Sequence, residues 1–435
     1  MNHADTHRIA YRRARSLRPS SIAAVAVMLA HLASLAQAQP STPGAPKSAA
    51  FPPTQPAAPA SKPDLAIPRD LRDLLTPIRD KASLPALAAV AIKDSKIIAQ
   101  GCVGLRAAGS PELATIDDKF HLGSCTKSMT ATMIARLVDR GLMRWDMTIA
   151  DAFPDRPGLH DKFRAARLDQ LLTNRAGIPH QTPEALWAKL WQRLGSPTEQ
   201  RLQLLDGTCA TAPEQEPGTK FVYANQGFAI AGAMAEKVTG KPWEDLMRDE
   251  LFAPLAITTA GFGPPGSADT VDQPRAHRGQ SPAYTPVPPG NDADNPPAIG
   301  PAGTAHMSLP DWARYIALHT RADRALIENK PADDPAFALV SKASMAKLHQ
   351  AIDGEGAGVK NTDTSGYAMG WMVGSRPWAG GRVLNHSGSN TMWFCVAWIA
   401  PKKDFAVLVA TNAGIDAAGA ADQAAAAIIN ALLKP

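Results

Sequence analysis

Apolar residues along this chain change their period several times, and each change predicts an element. Between Arg69 and Ala82, Leu71, Leu74, Leu75 and Ile78 fall on one helical face. Two unbroken apolar runs follow, Ala86 to Ile92 and Ile97 to Val103, with Asp94-Ser95-Lys96 between them. Short runs bounded by turn residues predict a pair of buried strands joined as a hairpin. Phe120-His121-Leu122-Gly123 is a further strand-like run leading into Ser124. Beyond it, Met129, Met133, Ile134, Leu137 and Val138 recur at helical spacing, and Gly141 is placed to stop that helix.

From about 125 to 260 the pattern is mostly helical. Residues 264 to 301 break it with ten prolines, which exclude a regular helix or a central strand. A long loop inside a compact domain is often functional. This one is expected to form a wall of a cleft, so that shortening it alters substrate preference more than acylation. Leu309 to Leu318 and Ser341 to His349 return to helical spacing. Val383 to His386, Trp393 to Ile399 and Phe405 to Thr411 predict strands, the last two joined by a turn at Pro401-Lys402-Lys403-Asp404. Asp416 to Leu433 is Ala-rich and helical. Strands and helices at both ends, with helices between, predict one α/β domain split by a mostly helical insertion. The α/β part spans about 65–123 and 305–435, the helical part about 124–304, and the catalytic groups are expected in the cleft between them.

The N-terminus stands apart from this domain. Residues 1–38 carry Arg8, Arg12, Arg13, Arg15 and Arg18, then a short apolar run from Ile22 to Leu35, then Ala36-Gln37-Ala38. That is the order of a cleavable secretory signal, and the run is too short for a membrane span. A periplasmic or secreted protein is expected. Residues 39–64, rich in Pro, Ala and Ser, read as a linker, with the domain at 65–435. The signal holds five Arg and one Asp, so the formal charge of +5 falls to about +1 without it. A near-neutral chain gives no electrostatic footing for nucleic acid or anionic lipid. Cys102, Cys125, Cys209 and Cys395 lie in or beside apolar segments, which predicts buried thiols. There is no C-x-x-C or H-E-x-x-H pattern, so neither a metal nor another cofactor is expected.

Three short patterns carry candidate chemistry. Ser124-Cys125-Thr126-Lys127 opens an apolar helix, where Ser and Lys three apart share a face. A serine hydroxyl needs a base within hydrogen-bond reach, and a helix N-terminus favours an alkoxide and depresses a lysine pKa. A second S-x-x-K, Ser344 to Lys347, lies within a predicted surface helix without that setting. Tyr223-Ala224-Asn225 follows a loop and precedes a helix. Beside a cation, Tyr223 is a candidate base in its anionic form, and Asn225 can bind a substrate carbonyl and hold Lys127. His386-Ser387-Gly388 runs along a predicted strand into Ser389, while a decoy, His277-Arg278-Gly279, lies in the Pro-rich loop. The backbone N–H groups of Ser124 and Ser389 are the candidate oxyanion hole, with Gly388 allowing close approach. His386 and Ser387 are candidate substrate-binding residues, and His386 is placed either to bind a carboxylate or to relay a proton.

The order S-x-x-K, Y-x-N, H/K-x-G resembles the serine β-lactamase and penicillin-binding protein superfamily, in its class C β-lactamase and D-alanyl-D-alanine carboxypeptidase branch. Leu171-Leu172-Thr173-Asn174-Arg175-Ala176-Gly177-Ile178-Pro179 is similar to that family's L-L-T-H-T-S-G-L-P loop. Glu216-Pro217-Gly218 and Asn385-His386-Ser387-Gly388-Ser389-Asn390 also agree. The resemblance implies an antiparallel sheet flanked by N- and C-terminal helices, Ser124 as the acylated nucleophile, and Lys127 and Tyr223 handling protons. The chain departs from the class C pattern at His386, where Lys is usual, and at Asn174-Arg175-Ala176. Those departures point away from efficient β-lactam hydrolysis.

The expectation is therefore an exported serine hydrolase acting through an acyl-enzyme on an amide, peptide or ester. The alternatives are a D-Ala-D-Ala-type carboxypeptidase, a weak β-lactamase, and a non-catalytic relative that binds cell-wall fragments. Expected partners are a small-molecule or peptide substrate and, in some of these readings, peptidoglycan fragments.

Overall fold

The computed structural model describes residues 68–352 and 366–433. The signal segment, the linker and the domain start near Leu65 lie outside the described residues. In chain order the strands are β1 (Arg69–Asp70), β2 (Ala86–Lys93), β3 (Lys96–Gly104), β4 (Lys119–His121), β5 (Gly261–Phe262), β6 (Ala276–Gln280), β7 (Ala283–Val287) and β8 (Ala305–Ser308). They continue as β9 (Gly366–Tyr367), β10 (Met372–Arg376), β11 (Gly381–Ser389), β12 (Phe394–Ala400) and β13 (Phe405–Thr411). The helices used below are α1 (Arg72–Lys81), α2 (Thr126–Asp139), α3 (Pro197–Cys209), α4 (Asn225–Thr239), α5 (Leu309–Ile327), α6 (Lys342–Leu348) and α7 (Ala418–Leu432).

Eight strands form one sheet in the order β1-β3-β2-β13-β12-β11-β10-β9. It is antiparallel except where β1 runs parallel to β3. Both faces of its centre are covered, which is why its strands read as unbroken apolar runs. On one face Leu87, Ala89, Ala91, Phe394, Val396, Phe405, Val407 and Val409 pack under α1 and α7. Ala421, Ala424 and Ala425 let α7 lie close to the strands. On the other face Val90, Ile92, Cys395, Ile399 and Leu408 join the larger core that includes α2, α4 and α5. Each large apolar side chain fully buried here contributes about 1.5–3 kcal/mol. Asp94 and Ser95, at φ of 50° and 60°, make the tight β2–β3 turn.

The Phe120 run forms β4, which pairs with β8 and, through it, joins β5 in a separate three-stranded sheet. It is not part of the main sheet. The Pro-rich stretch holds an ordered hairpin, β6–β7. The prolines exclude a central strand, and an isolated two-stranded ribbon has only edges, so Pro286 is tolerated in β7. His277 fastens this hairpin to the body. Its Nδ1 is 2.7 Å from Asn412 O and its Nε2 accepts from Ala108 N at 2.9 Å. Burial pushes its imidazole down to about 4, so it stays neutral and structural.

The helical part is knitted by a buried guanidinium. Arg201 on α3 donates to Glu236 on α4 at 2.6 Å and 3.1 Å, and to Glu244 at 2.8 Å and 3.1 Å. Its Nη1 also donates to Pro297 O at 3.2 Å, which draws in the far end of the Pro-rich stretch. Among the described residues no helix is long and apolar enough to cross a membrane.

Candidate active site

Ser124 lies in a 3-10 turn, Gly123–Cys125, that runs directly into α2. The turn is held from within, since Thr126 Oγ1 donates to Gly123 O at 2.7 Å and Ser128 Oγ to Cys125 O at 3.0 Å. Gly123 has a φ of +47°, and a Cβ there would collide with Ser389 N. A Cβ on Gly388 would lie 2.8 Å from Ser124 N. The turn and the end of β11 therefore run backbone against backbone, and only glycine allows it at both points. This apposition brings the amides of Ser124 and Ser389 to one place.

Lys127, on the first turn of α2, is wholly buried. Its Nζ is 3.1 Å from Ser124 Oγ, 2.7 Å from Asn225 Oδ1 and 2.8 Å from Ala302 O. None of these partners is a carboxylate. Burial lowers its pKa to about 7, with the charge of an ionised Cys125 acting the other way. A neutral amine has two N–H bonds and one lone pair. The two carbonyl oxygens take the N–H bonds, and the lone pair is left for the Ser124 hydroxyl.

Tyr223 is half-buried, with its ring 4.8 Å from Lys127 Nζ. Burial raises its phenol well above the ordinary range, opposed by a hydrogen-bonding interaction with Ser124. Desolvation thus favours the neutral form of both groups, and the phenolate expected from the sequence is disfavoured. The loop at 171–179 sets this tyrosine. Asn174 sits in the left-handed region at φ 57°, which asparagine tolerates. It accepts from Ala224 N through Oδ1 at 3.1 Å and from Val222 N through its carbonyl at 2.8 Å. Both peptide neighbours of Tyr223 are fixed in this way. His180 Nδ1 lies 2.6 Å from Tyr223 O.

On β11 the side chains alternate. His386 and Gly388 are buried, while Ser387 and Ser389 are partly open. His386 is only 5% exposed, with Nδ1 2.6 Å from Ser387 O. Its ring meets Tyr367 edge-on, and Tyr367 meets Tyr223 in the same manner. The histidine reaches the site through Tyr367. The Tyr367 hydroxyl lies near the Asn174 amide, but neither group meets hydrogen-bond geometry there.

Four contributors escaped the sequence. Ala302 O has no side-chain signature, since any residue offers a carbonyl. It is positioned by the preceding Pro301 O, which accepts from Thr130 Oγ1 on α2 at 2.8 Å. The others are His121, Asp294 and Asn390, all buried. Gly123 N donates to His121 Nδ1 at 3.1 Å, which leaves Nε2–H to donate to Asp294 at 2.9 Å. Asn390 Nδ2 donates to the other Asp294 oxygen at 3.0 Å. One carboxylate from the Pro-rich stretch thereby ties the nucleophile's turn to the end of β11. A histidine two residues before a glycine, with an Asp more than a hundred positions away, gave no local signal.

The second S-x-x-K is structural. Ser344 Oγ donates to Asp139 at 2.6 Å, and Lys347 pairs with Asp169 at 3.3 Å.

A family model described as Beta-lactamase matches residues 71–431. The chain belongs to that family. Penicillin-binding protein 4 of Amycolatopsis lactamdurans is 25% identical over 71% of this chain and 75% of its own length. The unguisins hydrolase ungD' of Aspergillus campestris is 24% identical over 68% of this chain, which spans only 53% of that protein. Among solved structures, the octameric penicillin-binding protein homologue from Pyrococcus abyssi superposes with a TM-score of 0.62 at 21% identity, covering 83% of this chain and 76% of that one. At that identity the likeness establishes the fold. Beta-lactamase family relatives are serine hydrolases, which makes this chain an enzyme of that broad kind.

Proposed function

We propose that the chain is an exported serine hydrolase that works through an acyl-enzyme on an amide, peptide or ester. The observation that carries this reading is the environment of Lys127: a buried amine with two carbonyl acceptors, lowered to about 7, its remaining valence on Ser124 Oγ. Lys127 takes the Ser124 proton as Oγ attacks the carbonyl carbon. The amides of Ser124 and Ser389 hold the oxyanion. The neutral phenol of Tyr223 protonates the leaving nitrogen or oxygen and regains a proton from the Lys127 ammonium. Water then attacks the ester on Ser124 by the reverse relay and releases the acid. Asn225 holds Lys127 through Oδ1, which leaves its Nδ2 to donate to substrate. Ser387 and Ser389 line the partly open side of β11, where an extended substrate would lie, while His386 and Gly388 shape the strand behind it.

The test is covalent labelling. A fluorophosphonate probe should add to the wild type at Ser124 and leave Ser124→Ala unmodified; labelling that survives the substitution removes the assignment. Intact-mass analysis with β-lactams, D-amino-acid peptides and p-nitrophenyl esters then separates peptidase, β-lactamase and esterase. The named penicillin-binding relative favours including a penicillin in that panel. Retention on peptidoglycan without any labelling would favour a binding protein.

A further inference from the structure

Two sulfurs that the mechanism does not use lie behind Ser124. Cys125 is the next residue in the turn, and its Sγ is 3.6 Å from Cys395 Sγ and 3.7 Å from His386 O. Cys395 sits on β12 directly across from Gly388, and its Sγ is also 3.2 Å from Leu122 O. Both residues are buried. The other two cysteines, Cys102 on β3 and Cys209 at the end of α3, are free and lie elsewhere. Burial alone raises both thiols of the pair. In Cys125 it is outweighed by side-chain hydrogen bonds with Cys395 and His386, and by His386 and Lys127 when they are protonated, so Cys125 is the more acidic partner.

We propose that Cys125 and Cys395 are a redox modification site, in which an oxidant closes a disulfide between the nucleophile's turn and the central sheet and switches the hydrolase off. With a peroxide as oxidant the steps balance. Cys125 sulfur attacks a peroxide oxygen, the O–O bond breaks, and water leaves with a sulfenic acid on Cys125. Cys395 sulfur displaces the second water and forms the S–S bond. Two thiols lose two electrons and two protons, and one peroxide becomes two waters.

The contact is close, but it is not bond length. An S–S bond is about 2.05 Å, so the sulfurs must approach and Cys125 Sγ must leave His386 O. The backbone has little slack to absorb this, since the turn already abuts Gly388 and Ser389 without room for a Cβ. The displacement therefore reaches Ser124 and the two amides at the oxyanion position. A shift near 1 Å in a catalytic group costs about 100-fold in rate.

The test uses the full chain with Cys102→Ser and Cys209→Ser, leaving only this pair. Hydrogen peroxide should remove the mass of two hydrogens, yield a peptide joining Cys125 to Cys395 on non-reducing digestion, and lower esterase activity about 100-fold in parallel. Dithiothreitol should restore both. Adding Cys395→Ala should keep basal activity and remove the reversible loss. A crosslink that leaves activity unchanged overturns the switch, and peroxide treatment with no joined peptide overturns the site. The activity arm rests on the hydrolase reading, whereas the mass and peptide readouts stand if no substrate is ever found. Should the Ala variant fail to fold, those readouts on the pair-only protein still decide.

Discussion

Lys127 carries its amine into a pocket that offers hydrogen-bond acceptors and no counter-charge. The working form in our scheme is the free amine, so kcat/KM for ester hydrolysis should be low below pH 7 and rise to a plateau above it, with a midpoint at about 7. A profile flat from pH 6 to 9 would contradict this. Lys127→Met should lower kcat/KM by about 10²–10⁴-fold, the usual worth of a general base, on the plateau above pH 7, with the gap narrowing below it as the wild type protonates its own base. Tyr223 makes a different prediction. A phenol that protonates the leaving group matters when that group is a poor one. Tyr223→Phe should slow amide or alkyl-ester substrates by about 100-fold or more and p-nitrophenyl esters much less. Equal losses would return the base role to the tyrosine. The residue types at 124, 127, 223 and 225 were legible because reactive side chains are named by the sequence. Their protonation was not, because it depends on desolvation by atoms drawn from distant segments.

Among elements, the segment from 264 to 301 departs furthest from expectation. Its prolines predicted a loop forming a wall of the cleft. In place of an irregular loop it contains the β6–β7 hairpin, and its far end supplies Asp294, with Ala302 just beyond. Replacing it wholesale should abolish acylation even of a small probe, as well as altering substrate preference. Asp294→Asn is the finer test. Asparagine keeps the size of the side chain but loses the charge that orients His121 and Asn390. It should lower kcat for acylation about 10-fold or more with little change in KM, because the bond to His121 supports the turn and not the substrate. A rise in KM alone would place Asp294 in substrate binding. The strands were legible where both faces are buried, as at Phe405–Thr411, which matches its apolar run residue for residue. The start of α1 was less so: Arg69 and Asp70 were drawn into β1 by pairing with Ala99 and Gln100, a partner no local pattern reveals. The Arg201 cluster was equally silent, since three charged residues on α3, α4 and the short helix Trp243–Met247 look like solvated surface until they meet.

At the level of the molecule, Lys127 ties function to stability. In the unfolded chain its amine titrates near 10.4, and in the folded protein near 7. Below pH 7 both forms are protonated, and the folded state carries the full cost of a buried cation. Between those values the unfolded chain holds the extra proton, so raising the pH favours folding. The stability of the wild type relative to Lys127→Met should therefore increase from pH 7 toward pH 9.5, by at most about 1.4 kcal/mol per pH unit. Urea titrations of both proteins at pH 6.5 and 9 measure it, and a gap that does not move with pH would be inconsistent with a desolvated amine. By contrast Arg201→Ala, which leaves Glu236 buried without its partner, should cost about 3–5 kcal/mol at neutral pH without changing the pH midpoint of catalysis.

The Pro-rich stretch meets the catalytic centre through very few atoms: a carboxylate at Asp294 and, just past its end, a main-chain oxygen. From 264 to 292 it is held by its own hairpin, by His277, and by bonds to residues other than those named at the site: Gln273 Oε1 accepts from Lys119 N, Arg275 N donates to Arg106 O, and the Tyr284 hydroxyl donates to Asp416. A lineage could rewrite that outer portion, lengthen it or recolour its charge, and keep the chemistry intact so long as those two oxygens arrive in register. The fold thus separates what is diversified from what is inherited, and new substrates can be explored without rebuilding the engine.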